Sequence, residues 1–501
     1  MTQSFRNIRT WATLLIAGAI FAACSSDDNL TPDEQQPAEA KTYTLMVQAT
    51  KGGENAAVKA ATRALSLDGK TLNATWAEGE AVTVYNVTRS AALGGTLTAQ
   101  SSGASTTLKG TLTGTIVNGD ELKLKFLSPS YSTQDGTLEY IAANCDYAEA
   151  TVSVSDASTP SVTTSAASFT NQQAIVKFTL KNKAGSANLN TNSLKISDGT
   201  NTYTVNRSAS ANAYYVAIPG FSGRTISMIA LDGGTGYDYI KSNVSFTNGQ
   251  YYEITVKMDQ VLAMTDATAS SVGKVIATDG KMYTHVRTAE LAGTTASGIV
   301  AYVGSAGSVE SGNSSYKGMA IALEDAILTW GSYPNHMEYC TSASHQCSTA
   351  TSYCSTVSSA LNAKNGIAAN QSALANNGEG HWHNAAGNGS GAPLPSGASP
   401  WVIPSMGQWN LMAQGLTGNS SNLSDTDNPD YHFNNLRTKI NAAGGTYLGW
   451  LFYWSSTEQN ESNAWCFNIG GIDSGRNGSR VSAFAKNHND EYMHVRMFFA
   501  F

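Results

Sequence analysis

Thr42-Tyr43-Thr44-Leu45-Met46-Val47-Gln48-Ala49 places Tyr43, Leu45, Val47 and Ala49 in one phase and polar residues mostly in the other. A two-residue period is that of a strand with one buried face. The period returns at Leu122-Lys123-Leu124-Lys125-Phe126, from Ala174 to Leu180, and at Tyr252-Glu253-Ile254-Thr255-Val256-Lys257-Met258. Clusters of Gly, Asn, Ser and Asp between these runs read as turns. No amphipathic helix is expected before residue 260. Short strands separated by turn signals predict β-sandwich modules over the first half of the chain.

Composition agrees with that texture. Charged residues are 13% of a 501-residue chain that carries 46 glycines, which suits an extracellular β-rich protein more than a cytosolic enzyme. The net charge of -7 is mild, and no basic stripe of the kind nucleic-acid binding needs is present. The length allows two to four domains with cores of their own.

Upstream of the first strand, Arg6 and Arg9 precede an uncharged run from Trp11 to Ala23. This is a secretory leader by length and flanks (residues 1–23), and too short for a comfortable bilayer span. Phe21-Ala22-Ala23-Cys24 resembles a bacterial lipobox, which implies cleavage before Cys24 and lipidation of its thiol and new amino terminus. Several acyl chains anchor stably where one does not. The following Ser25-Ser26-Asp27-Asp28 resembles the signal that sends Bacteroidetes lipoproteins to the outer leaflet of the outer membrane. Residues 24–40, rich in Asp, Glu, Gln and Pro, read as a solvated acidic tether.

Thr62-Arg63-Ala64, Trp76-Ala77-Glu78-Gly79-Glu80-Ala81-Val82-Thr83-Val84-Tyr85 and Phe169-Thr170-Asn171-Gln172 resemble a fimbrillin of the Bacteroidetes type V pilus group. The resemblance covers roughly residues 41–258. It implies two tandem transthyretin-like β-sandwiches, expected at 41–155 and 156–258, and proteolysis between Arg63 and Ala64. Such a cut would free the first strand together with the lipid anchor. The exposed strand edges would then accept a partner's strand. The partners implied are other fimbrial subunits through donor-strand complementation, the outer membrane through the lipid, and no nucleic acid.

Residues 259–270 read as a linker, and the chain then changes character. All the tryptophans except Trp11 and Trp76 lie beyond residue 270, which marks a different core. Gly273-Lys274-Val275 with Asp279-Gly280-Lys281 reads as a hairpin. The runs 298–303 and 317–323 read as buried strands, and residues 349–364 and 405–416 as helices. Trp401-Val402-Ile403-Pro404-Ser405-Met406-Gly407-Gln408-Trp409, Tyr453-Trp454-Ser455-Ser456-Thr457-Glu458, Ala464-Trp465 and Val495-Arg496-Met497-Phe498 follow in that order. They resemble the C-type lectin-like domain of major-paralogous-domain surface proteins and, more distantly, formylglycine-generating enzymes. The match spans residues 271–501 and implies an α+β domain. The expected fold is therefore a mainly β N-terminal half followed by a C-terminal α+β C-type lectin-like domain.

No catalytic constellation stands out, and no enzyme activity is expected. The enzymes of that fold need paired cysteines near the C-terminal end, where only Cys466 lies. Calcium-dependent sugar binding of the lectin type needs a Trp-Asn-Asp segment, whereas Trp465 is followed by Cys466 and Phe467. No cofactor and no metal is assigned. His336, Cys340, His345, Cys347 and Cys354 have metal-like types, but His345-x-Cys347 is tighter than zinc spacing. Cys340 and Cys347 are a candidate disulfide, with buried unpaired thiols as the alternative. His381-Trp382-His383 reads as a packed tryptophan between exposed histidines. The polar stretch from Gln459 to Glu491 is the candidate recognition surface, with Asn460, Asn468, Asp473, Arg476, Asn477, Arg480, Asn487 and Asn489 lining it. The C-terminal residues Met497 to Phe501 read as a core strand that is not free to donate. Together the two resemblances imply a surface-exposed, tip-type fimbrial subunit whose C-terminal domain binds a host, bacterial or glycan ligand. The alternative is a lipoprotein of the same surface that never polymerises.

Overall fold

The computed structural model describes residues 41–51, 65–68, 71–127, 130–325, 353–376, 392–449, 451–460, 463–470, 478–485 and 493–501. The described chain is mainly β, and its three largest buried clusters lie one after another along it.

The first core is enclosed by strands whose pairings run in a ring. Lys41–Lys51 pairs with Ala167–Asn171, and this with Ala148–Asp156. Glu121–Phe126, Ala81–Asn86, Leu97–Ala99 and Ser105–Gly114 continue the circuit, and the last pairs back onto Lys41–Lys51. The alternation seen in the sequence has a direct cause here. Tyr43, Leu45, Val47 and Ala49 are each 2% exposed or less, while Met46 on the opposite face is 56% exposed. Trp76 fills the middle of this core and meets Phe126 and Phe169 edge to face, at centroid distances of 5.5 and 5.1 Å.

The expected boundary at 155/156 falls inside this sheet. Ser161–Thr164 and Ala167–Asn171 pair parallel to the first strand, and Val162, Ala167 and Phe169 belong to the first core. The Phe169-Thr170-Asn171 run, expected within the second unit, therefore belongs to the first. An earlier segment crosses the other way. Thr133–Gln134 pairs with Thr202–Ala211 of the second sheet, and the Gln134 side-chain amide exchanges hydrogen bonds of 2.9 Å with both backbone groups of Ala217. Leu138–Asn144 is a helix, contrary to the all-strand expectation for this half. Thr137 caps it by accepting from the Tyr140 N–H, and its Ile141 packs with Ile175 and Ala217.

The second core lies among strands from Ala174–Asn182 to Tyr251–Ala263. Tyr251–Ala263 runs through the first part of the expected linker and pairs with Lys281–Tyr283, so residues 259–263 are strand and join the second sheet to the C-terminal region. Asp238 locks that junction. One carboxylate oxygen accepts from the Thr284 N–H, the Thr284 hydroxyl and the Thr288 hydroxyl at 2.6–2.8 Å. Burial pushes the Asp238 pKa up, and these hydrogen bonds together with Lys274 only partly offset it. A carboxyl pKa raised in the folded state gives stability that is fully present below its unfolded value near 3.8 and is lost as pH rises through the raised one. As pH rises above about 4 the wild type should thus lose stability relative to Asp238→Asn, read from amide hydrogen exchange of Thr235–Phe246. Equal pH dependence of exchange in the two proteins would show the junction to be pH-blind.

In the C-terminal region Val275–Ala277 and Lys281–Tyr283 form the expected hairpin, with Gly280 at φ +73° in its turn. Ala296–Val303, Gly318–Ala322 and Phe498–Ala500 extend the sheet, and Phe498, Phe499 and Ala500 are fully buried. Helix Met406–Thr417 starts with a capping box between Ser405 and Gln408 and packs on Ala296–Val303. The other expected helix is shorter, Val357–Asn362, with Thr356 as its cap. Gly415 faces the sheet so closely that a Cβ there would stand 2.0 Å from the Ala301 carbonyl oxygen. Gly→Ala inside a helix ordinarily stabilises by about 0.5–1 kcal/mol. Gly415→Ala should instead destabilise by about 1–3 kcal/mol through overpacking, and the sign read from thermal unfolding checks it. A separate sheet orders Arg480–Ala485, Asn463–Asn468, Phe452–Glu458 and Met493–His494.

Candidate functional site

The strand Lys41–Lys51 is where the fold offers a separable piece. It pairs antiparallel with Ser105–Gly114 over ten positions, from Lys41 opposite Gly114 to Thr50 opposite Ser105. Its other edge pairs parallel with Ser161–Thr164 and Ala167–Asn171. It is thus the link that closes the ring, and its removal leaves two open strand edges flanking a groove over the first core. Leu45 and Val47, almost wholly buried, each contribute about 1.5–3 kcal/mol to holding it. The groove does not stand open while the strand is in place.

At the end of the strand the alternation brings Lys51 inward. Lys51 is fully buried, and its Nζ lies 2.8 Å from an Asp146 carboxylate oxygen that is equally buried. The ammonium stands 3.5 Å from the ring centroid of Phe126 and 5.1 Å from that of Trp76. Asp146 is steadied on its other oxygen by the Gln173 side-chain amide at 3.4 Å, and the Gln173 carbonyl in turn accepts from the Tyr131 hydroxyl and the Tyr147 N–H. Sequence reading missed this pair. The one signal for it was that Lys51 falls in phase with 43, 45, 47 and 49.

Arg63 and Ala64 lie in the chain between this strand and the next, Leu65–Asp68, but outside the described residues. So do Cys24, Cys340, Cys347, Asp473, Arg476, Asn477, Asn487 and Asn489, and with them His336, His345 and His381-Trp382-His383. Three members of the expected recognition surface are described, and they do not sit together. Asn460 is exposed at the turn before Asn463–Asn468. Asn468 and Arg480 are register partners at the far end of that strand, about 17–20 Å away. Asn468 is 2% exposed and donates to the Ser482 hydroxyl at 3.4 Å, so it is a packing residue and not part of an exposed face. Arg480 is half-buried.

The aromatic motifs of this region build its core. Trp409 packs on Tyr453 and Phe467 and donates its indole N–H to the Trp454 carbonyl at 3.1 Å. Burial pushes the Cys466 thiol up, well away from nucleophilic range, and Cys354 is shifted in the same direction for the same reason. Among the described residues, no group of three or more His, Cys, Asp or Glu is placed to hold a metal ion, and no helix is long and apolar enough to cross a membrane.

No family model matches the chain, and no curated protein matches it. Solved structures that match include fimbrial and putative cell adhesion proteins. A fimbrial protein from Bacteroides ovatus is 15% identical, with a TM-score of 0.26 over 85% of this chain and 95% of that one. The tip fimbrial protein Mfa3 from Porphyromonas gingivalis, with C-terminal truncation, is 10% identical, with a TM-score of 0.23 over 43% of this chain and 95% of that one. A fimbrial assembly protein from Parabacteroides distasonis is 12% identical, with a TM-score of 0.23 over 44% and 96%. At such scores the likeness decides nothing about activity, and the functional reading rests on this chain's own residues.

Proposed function

We propose that the protein is a surface-exposed fimbrial subunit of tip type, delivered as a lipoprotein through Cys24 and assembled by strand complementation. The observation that carries this reading is the position of Lys41–Lys51 as the ring-closing strand, with Arg63 in the chain between it and the following strand. One cut after Arg63 severs the strand and the anchor from the rest. The ring then opens along two edges, and a neighbour's strand restores both sets of backbone hydrogen bonds. The C-terminal lectin-like domain supplies recognition of a host, bacterial or glycan ligand, with Asn460, Asp473, Arg476, Asn477, Arg480, Asn487 and Asn489 as its candidates.

Amino-terminal sequencing of surface material tests the reading. A chain starting at Ala64 is expected in polymer, and Arg63→Ala should hold the protein in the longer, monomeric form. Polymer that still assembles from Arg63→Ala would sink the processing step. Lipidated Cys24 as the sole mature start would favour the alternative, a stationary ligand-binding lipoprotein. The complete pairing of the first strand in the uncut chain suits that alternative too.

A further inference from the structure

A cleft of about 490 Å³ lies where the second β-sheet meets the C-terminal region. Lys241 and Ser242 line it from strand Thr235–Phe246, and Thr225 from the paired strand Phe221–Asp232. His285 and Arg287 come from the start of helix Val286–Ala292, and Asn441 from the end of helix Phe433–Ala443. Lys241 and Arg287 are exposed, and among the described residues neither has an ion pair. No carboxylate lines the cleft; Glu290, one turn beyond Arg287, lines the adjacent one. Two cations lining one cleft repel each other, and an anion that enters relieves the repulsion. The walls are held before any ligand arrives. Asp238, on the same strand as Lys241, bonds Thr284 and Thr288 and so fixes the segment that carries His285 and Arg287. The His285 ring lies against Gly444, where a Cβ would stand 2.6 Å from it. His285 Nδ1 accepts from the Arg287 N–H at 3.0 Å, which puts the proton of the neutral ring on Nε2, a donor with no partner among the described residues. Burial and the Arg287 charge push the His285 pKa down, so the ring is neutral at pH 7.

We propose that this cleft binds a saccharide through a sulfate or phosphate ester. Lys241, Arg287 and His285 offer nitrogen donors on three separate side chains, which suits the three terminal oxygens of a tetrahedral ester better than the two of a carboxylate. The carbonyl end of helix Phe433–Ala443 disfavours an anion directly against it. The ester therefore sits on the Lys241 and Arg287 side, and the sugar hydroxyls face Asn441. The Thr225 and Ser242 hydroxyls, 3.3 Å apart, exchange further hydrogen bonds with the sugar. The volume is that of a site for a small organic ligand, more than a bare oxyanion fills. The site lies apart from the candidate residues between 460 and 489, and it depends neither on them nor on strand complementation.

Isothermal titration of the full chain with glucose 6-sulfate and glucose 6-phosphate tests the site. The better of the two esters should bind about tenfold more tightly than glucose, and about tenfold more tightly than inorganic sulfate or phosphate. Arg287→Gln and Lys241→Gln, both at exposed side chains, should each weaken that ester about tenfold. Lys109→Gln, an exposed lysine of the first β-domain, should leave its Kd unchanged. Glucose binding as tightly as its esters would overturn the need for an anion. Free sulfate or phosphate binding as tightly as the esters would overturn the saccharide and leave a site for an ion only. An ester that binds the Arg287→Gln and Lys241→Gln chains as well as the wild type would overturn the location. Binding of neither ester would overturn the proposal outright.

Discussion

Asp146→Ala is expected to destabilise the first β-domain by about 3–5 kcal/mol, because it removes the buried carboxylate that stands 2.8 Å from the fully buried Lys51 ammonium. Lys51→Met leaves the carboxylate in the complementary position and should cost a similar amount. The double replacement Lys51→Met with Asp146→Leu removes both charges and fills the space with hydrocarbon, so most of the loss should return. That non-additivity is the signature of a direct pair. Three cores in one chain do not melt as a single two-state unit, so the measurement is amide hydrogen exchange of the Lys41–Lys51 and Ser105–Gly114 strands. If the single and double variants exchange alike, the pair does not couple the strand to the core.

Trp409→Ala should have an effect as large, about 3–5 kcal/mol, and confined to the C-terminal region. The indole is 1% exposed, lies against Tyr453 and Phe467, and satisfies the buried Trp454 carbonyl. Removing it leaves a cavity and takes away that hydrogen bond. Trp409→Phe keeps most of the apolar contact and loses the hydrogen bond, so its cost should be the smaller of the two. Exchange should accelerate in Met406–Thr417 and Ala296–Val303 while Lys41–Lys51 stays protected. A uniform loss of protection across all three cores would show that they unfold as one.

The two expectations bear on function differently. The first concerns whether the strand that closes the ring is held by a specific contact that its replacement must reproduce. The second concerns whether the C-terminal region is a stable platform for exposed loops irrespective of what fills the slot. On the proposed reading both are needed, since assembly would alter the first core and the C-terminal region would carry recognition.

Local periodicity determined the strands whose inward and outward faces differ in polarity. Tyr43 to Ala49, Leu122 to Phe126 and Tyr252 to Met258 were legible because a strand's side chains alternate whatever it pairs with. The Asp279-Gly280 hairpin was legible because a tight turn is written in adjacent residues. The expected leader and the candidate sites Cys24 and Arg63 are read from the sequence alone.

What alternation cannot say is which strand lies next. Phe169-Thr170-Asn171 reads as a strand in either domain, and only tertiary pairing gave it to the first core. Thr133–Gln134 and Leu138–Asn144 joined the second core for the same reason. The recognition surface divided likewise: Asn460 and Asn468 look alike in sequence, but one ends at a turn and the other inside a sheet. Lys51 is the clearest case. Its phase was in the sequence, but a lysine on an apolar face gains meaning only from a carboxylate 95 positions away, and burial strengthens their attraction while making the loss of either one costly.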